Sequence, residues 1–130
     1  MAISGVFNLN NRVNSRALGA LGEGMAIRLL KQKGYAILQQ NFRCRYGEID
    51  VVAKDRGSIV FIEVKTRRST RYGTPEEAVD RRKQKQLRLM ASLYLSSHDT
   101  TYAGYRFDVY SIFLNEDNEP VSVKVLENCI

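Results

Sequence analysis

Gly47-Glu48-Ile49-Asp50-Val51-Val52-Ala53 and Val60-Phe61-Ile62-Glu63-Val64-Lys65 lie one strand length apart, joined by Lys54-Asp55-Arg56-Gly57-Ser58-Ile59. Each run sets carboxylates into a β-branched, apolar stretch, where an unpaired buried charge is costly. An antiparallel hairpin turning at Arg56-Gly57, or through the longer loop Asp55 to Ser58, gives the same register either way. In that register Asp50 stands opposite Glu63 and Glu48 opposite Lys65, with opposed Cβ atoms roughly 4.5 to 5.5 Å apart. Two carboxylates so close repel one another unless a cation lies between them. A hard, oxygen-seeking ion such as Mg²⁺, or Mn²⁺ in its place, suits two carboxylates plus a phosphate.

The rest of the chain narrows the chemistry. Its 130 residues fit one domain with a real core, and Lys plus Arg exceed Asp plus Glu by 20 to 14, a net charge of +6. Such a balance favours a polyanionic partner, nucleic acid above all. The basic residues also cluster: Arg67, Arg68 and Arg71 follow Lys65, and Arg81, Arg82, Lys83, Lys85 and Arg88 crowd a later segment. Cys44 and Cys129 have no metal-ligand spacing, which argues against a zinc site or a disulfide framework. With one histidine, His98 in a polar stretch, Ser-His-Asp and Cys-His triads are disfavoured. No Gly-x-x-x-x-Gly-Lys-Ser/Thr loop is present, and no apolar run approaches the length of a membrane span, so the expected location is cytoplasmic, with no membrane partner.

Residues 1–14 read as a flexible arm and 15–130 as a single α/β domain. Leu18, Leu21, Met25, Ala26, Leu29 and Leu30 form an apolar stripe on a helix that Gly34 ends, with Glu23 at the stripe's edge. Gly19, Gly22 and Gly24 weaken that helix and imply close approach to the sheet. A short edge strand over Tyr35 to Gln40 then leads into one long strand from Phe42 to Lys54, and a second long strand runs from about Ile59 to Thr66. Thr74-Pro75-Glu76-Glu77 carries helix-start signals, and the helix is expected to run on to about Ser96. Lys83 falls on its inward stripe, where it either snorkels outward or points at something anionic. Tyr105 to Leu114 alternates as a third long strand, and Val121 to Val125 makes a final edge strand. This order implies a mixed sheet flanked by helices.

Asp50 and Glu63-Val64-Lys65 on one hairpin face fit phosphodiester hydrolysis: carboxylates for a metal, and a lysine to orient water or meet developing charge. Glu23 either completes the coordination shell or is a solvated helix-flank acid. Acidic and basic residues alternate on many solvated strands, and it is the apolar flanks and basic surroundings that lift this pattern above them.

The Gly22-Glu23 helix, Gly47-Glu48-Ile49-Asp50, Phe61-Ile62-Glu63-Val64-Lys65-Thr66-Arg67, Gly73-Thr74-Pro75-Glu76-Glu77-Ala78-Val79 and Arg106-Phe107-Asp108-Val109 together resemble the YraN-type family of predicted endonucleases. These small bacterial proteins are distantly similar to archaeal Holliday junction resolvases, within the PD-(D/E)xK nuclease superfamily. The match spans about Ser15 to Val125. The resemblance implies a central mixed β-sheet flanked by helices in a restriction-endonuclease-like core, a metal held by Asp50 and Glu63, Lys65 as catalytic lysine, and Glu23 as the helix acid. Thr66, Arg67, Arg68 and Lys83 are the candidate nucleic-acid contacts, against a solvated-face alternative. Glu48 is either a partner that orients Lys65 or a plain cross-strand salt bridge, and Asp108 is expected to pair with an arginine.

The leading expectation is a metal-dependent endonuclease on DNA rather than RNA, including branched or structured DNA, with two active sites in a homodimer suited to a junction. The alternatives are a non-catalytic nucleic-acid-binding protein on a nuclease scaffold, and an interaction protein whose acids form a structural ion-pair cluster.

Overall fold

The computed structural model describes residues 14–68, 80–98 and 101–130. Ile59, Val60, Phe61 and Ile62 are all essentially buried, so the strand that carries them is covered on both faces. That strand, β3 (Ser58–Arg67), is the middle of a five-stranded sheet whose order follows the chain, β1-β2-β3-β4-β5. β1 spans Ala36–Cys44, β2 Gly47–Asp55, β4 Gly104–Leu114 and β5 Pro120–Leu126. β3 and β4 are parallel and every other neighbouring pair is antiparallel. A parallel neighbour requires a crossover, and the helix α2 (Arg81–Ser97) lies within it, while α1 (Asn14–Gln32) precedes the sheet. The result is a mixed sheet flanked by two helices, an α/β fold consistent with a restriction-endonuclease-like core.

The helices take opposite faces. Ile27 and Leu30 of α1 pack with Val51, Ala53, Val60, Ile62 and Tyr110. Leu87, Met90, Ala91 and Tyr94 of α2 pack with Phe42, Ile49, Val52, Ile59, Phe61, Phe107 and Val109. Burial of each such large side chain is worth about 1.5 to 3 kcal/mol, so the two helices together fix the sheet from both sides. Gly34 (φ +90°) ends α1, and the next residue's amide, Tyr35 N, returns to Leu30 O at 3.0 Å.

The β2–β3 hairpin turns on two residues, Arg56 (φ 51°) and Gly57 (φ 87°), and pairs Asp55 with Ser58 through to Val51 with Ile62. Positive φ at both central residues matches the twist of the flanking strands. This is the turn and the register expected from sequence, over the five pairs that form.

Three expectations need correction. The segment from Phe42 to Lys54 is not one strand: it breaks at Arg45-Tyr46, Cys44 pairs with Gly47, and Gly47 (φ +134°) makes the bend. The helix bearing Lys83 does not run through residue 80, because Asp80 is in extended backbone (ψ 179°) and caps α2 by accepting the Lys83 amide at 2.8 Å. The start signals at Thr74 to Glu77 lie outside the described residues, as do residues 1–13 of the expected arm. Of the three helical glycines, only Gly22 lies against the sheet: a Cβ there would overlap the Thr66 side chain, whereas nothing stands near Gly19 or Gly24.

Candidate metal centre

The site forms where the β2–β3 ladder stops. Its last pair is Val51 with Ile62, and at the next position Asp50 turns its own carboxylate into the opening, where Oδ2 accepts the Val64 amide at 2.8 Å. A side-chain acceptor thus replaces a ladder acceptor, and the freed amide stays satisfied. The alternation of β2 slips at the same point. Ile49 packs on the α2 side together with Val52, while Val51 packs on the α1 side. Asp50 and Asn41, which would face each other across β1 and β2, are missing from the pairing between Gln40–Val51 and Phe42–Ile49, and Asn41 has φ 55°.

Three carboxylates meet around this break. Oxygen atoms of Glu23 from α1, and of Glu48 and Asp50 from β2, all lie within 4.8 Å of one another, a group that could hold a metal ion. Burial pushes the Asp50 carboxyl up to about 7, Glu23 and Glu63 push the same way, and the Val64 amide opposes them. Like charges around a desolvated acid are the environment that a bound cation relieves.

Glu63 stands beside this group rather than inside it. Its Oε1 is 3.1 Å from Lys83 Nζ and 3.3 Å from Lys65 Nζ, which draws the carboxylate toward the α2 face. Its Oε2 is buried and has no hydrogen-bond partner. One oxygen doubly held and the other bare is an arrangement into which a cation fits.

Of the expected site residues, Glu23 and Asp50 are together, and Glu63, Lys65 and Lys83 form an adjoining group. Glu48 does not face Lys65 as the extrapolated register implied. Its cross-strand partner is Arg43, with Nε 3.1 Å from Oε2, because β1 pairs with β2 over this stretch and β3 has diverged. Thr66 points toward α1 under Gly22, with its hydroxyl buried. Arg68 Nη2 donates to Asn118 Oδ1 at 2.6 Å, while Arg67 closes β3 opposite Phe113.

Sequence reasoning left Glu48 outside the metal set. Its spacing of two from Asp50 on one strand was the available signal. The reading of Asp108 holds: it is buried and accepts Arg106 Nε at 3.2 Å and the Asn128 amide at 2.9 Å. His98 caps the end of α2, with its ring stacked on Tyr94 at 3.9 Å.

No helix among the described residues is long and apolar enough to cross a membrane. The model of the family described as "Uncharacterised protein family UPF0102" matches residues 22–112, which spans every carboxylate and lysine of the site. A UPF0102 protein of Caldicellulosiruptor saccharolyticus is 42% identical over 116 residues, covering 89% of this chain and 98% of that one. UPF0102 proteins of Clostridium botulinum strains Hall and Loch Maree are 46% and 45% identical over 117 residues, covering 88% of this chain and 94% of theirs. With a matched core and relatives aligned over nearly their whole length, the chain belongs to the UPF0102 family, the YraN-type group.

Proposed function

We propose that the protein is a metal-dependent endonuclease that hydrolyses phosphodiester bonds in DNA, with branched or structured DNA as its substrate class and Mg²⁺ as its ion. The observation that carries this reading is the opening of the β2–β3 ladder at Asp50. It gathers three carboxylates within ion-holding range, next to a Glu63 whose second oxygen is bare. A purely structural cluster of acids would be expected to have its oxygens paired.

Asp50, Glu23 and Glu48 are the residues placed to hold the ion, and Glu63 the one to complete its shell from the adjoining strand. A divalent cation bound there supplies the charge that polarises a phosphate and acidifies a water. Asp50 must give up its proton to serve as a ligand. Lys65, whose side chain is 36% exposed, has both an anchor on Glu63 and access from solvent. It is placed to donate a hydrogen bond to a non-bridging phosphate oxygen as negative charge builds there. Arg67 and Arg68, at the end of β3, continue the positive charge along the path a phosphate backbone would follow. Two such sites in a symmetric homodimer would address two of the four strands of a junction.

The test is cleavage of linear, nicked and four-way-junction DNA by purified protein in Mg²⁺ or Mn²⁺. Wild type should cut, and Asp50→Ala and Glu63→Ala should not. Cleavage that persists in both variants overturns the assignment. Salt-sensitive binding of the same DNA without cleavage under any metal would replace it with the non-catalytic alternative.

A further inference from the structure

We infer that Lys83 is a positioning residue for Glu63, acting from α2, and not chiefly a contact to the nucleic-acid backbone; the inference rests on the metal-centre reading above. Three observations converge. Lys83 Nζ is the nearer of the two ammonium groups on Glu63 Oε1, at 3.1 Å against 3.3 Å for Lys65. Its side chain is 29% exposed, whereas Arg81, Arg82 and Lys85 on the same helix are all exposed. Its stem lies on the buried face of α2, four residues before Leu87, which packs in the core.

The consequence for Glu63 is geometric. With Oε1 shared by two lysines from different elements, the carboxylate cannot rotate without breaking two ion pairs. Oε2 is then the oxygen left for a cation, and it is the one without a partner. Lys65 is two residues along the same strand and moves with Glu63, so it cannot fix Glu63 relative to the rest of the fold. Lys83 can, because α2 is anchored separately by Leu87, Met90, Ala91 and Tyr94 in the core. Partners that orient metal ligands in this way typically change metal affinity 10- to 100-fold when removed.

The sign of the effect separates this role from simple electrostatics. Removing a positive charge near a cation site should strengthen cation binding through the field alone. A positioning role predicts the reverse.

Mg²⁺ alone, titrated against the full chain and followed by thermal midpoint and by calorimetry, is the probe. Lys83→Gln should raise the Mg²⁺ concentration at half-effect by about tenfold. Lys83→Arg, which keeps the charge and the donor, should recover most of the loss. Lys85→Gln, on the exposed side, should match wild type. DNA affinity in EDTA should fall for Lys83→Gln by no more than for Lys85→Gln. An Mg²⁺ midpoint that is unchanged or lower in Lys83→Gln overturns the inference while leaving the metal centre intact. If wild type itself shows no Mg²⁺ response, the metal-centre reading falls and the inference with it. A Lys83→Gln variant that is unfolded in EDTA would be replaced by Lys83→Met, judged by the same midpoint.

Discussion

Two strands of this sheet draw an aspartate out of full solvent, Asp108 buried and Asp50 half-buried, and the two sites treat it differently. Asp108 on β4 accepts Arg106 Nε and the Asn128 amide, and the same guanidinium reaches Asp55 at 3.5 Å and the Tyr35 hydroxyl at 2.7 Å. Asp50 on β2 has one amide, from Val64, and otherwise faces other acids. Burial raises the carboxyl pKa of both and an amide opposes it in each, Asn128 at Asp108 and Val64 at Asp50, but Arg106 pulls Asp108 down further whereas Glu23 and Glu63 push Asp50 up. The first is a closed ion-pair network that the chain completes for itself. The second gathers the carboxylates of Glu23, Glu48 and Asp50 and leaves an oxygen nearby, Glu63 Oε2, bare. Folding alone does not account for the second arrangement, which could hold a metal ion.

The comparison breaks most visibly in activity. Asp50→Ala and Glu63→Ala should each lower the cleavage rate by on the order of 10³-fold, equivalent to about 4 kcal/mol of barrier, and both variants should still fold. Asp108→Ala should instead cost about 3 kcal/mol of folding stability, by taking from Arg106 its buried carboxylate partner and from the Asn128 amide its acceptor. A chemical-denaturation midpoint is the measure. If Asp50→Ala proves as destabilising as Asp108→Ala, the two sites are alike and the distinction fails.

Gly22→Ala probes the seat of α1, which brings Glu23 to the site. The added Cβ overlaps Thr66, so helix and strand must separate. A loss of about 2 kcal/mol is expected from such overpacking, along with weaker metal binding. Gly24→Ala, with open space around it, should instead stabilise by about 0.5 to 1 kcal/mol, and thermal melts of the pair would show the opposite signs.

How much of this was legible from sequence depends on the residue. Arg56-Gly57 between two β-branched runs signals a hairpin, and the register followed from turn length alone. The bend at Arg45-Tyr46 carried no such pair of turn residues, and apolar positions continue through it from Phe42 to Ile49, so the two strands read as one. The cross-strand partner of Glu48 was hidden for a related reason. Strict alternation from Asp50 placed Glu48 toward Lys65, but the slip at Asp50 and the parting of β3 are tertiary events that no local pattern encodes. Lys83 was half legible, since an inward-facing lysine needs an anion, but which anion depends on how α2 crosses the sheet.

The pH dependence sharpens the contrast further. With its folded-state pKa near 7, against an ordinary 3.8, Asp50 keeps its proton in the folded protein after the unfolded chain has lost it. Metal-free stability from this group therefore falls as pH rises from about 4 to 7. The thermal midpoint of wild type in EDTA should drop over that window relative to Asp50→Asn, and Mg²⁺ at pH 8 should restore it. A wild-type curve parallel to that of Asp50→Asn would show that Asp50 ionises without cost.

The smallest effect belongs to the exposed pair. Arg43→Ala removes the partner of Glu48 at a solvent-facing position, so stability should change by no more than about 0.5 to 1 kcal/mol. Mg²⁺ affinity should hold or rise slightly as a positive charge leaves the cluster, which the calorimetric midpoint would register.

The most direct measurement is a crystal of the protein grown with Mn²⁺ and examined by anomalous scattering. One strong peak is expected at coordination distance from Asp50, shared with Glu63 Oε2 and with Glu23 or Glu48. No peak at that position at saturating Mn²⁺, or peaks only at surface carboxylates remote from Asp50, would contradict it.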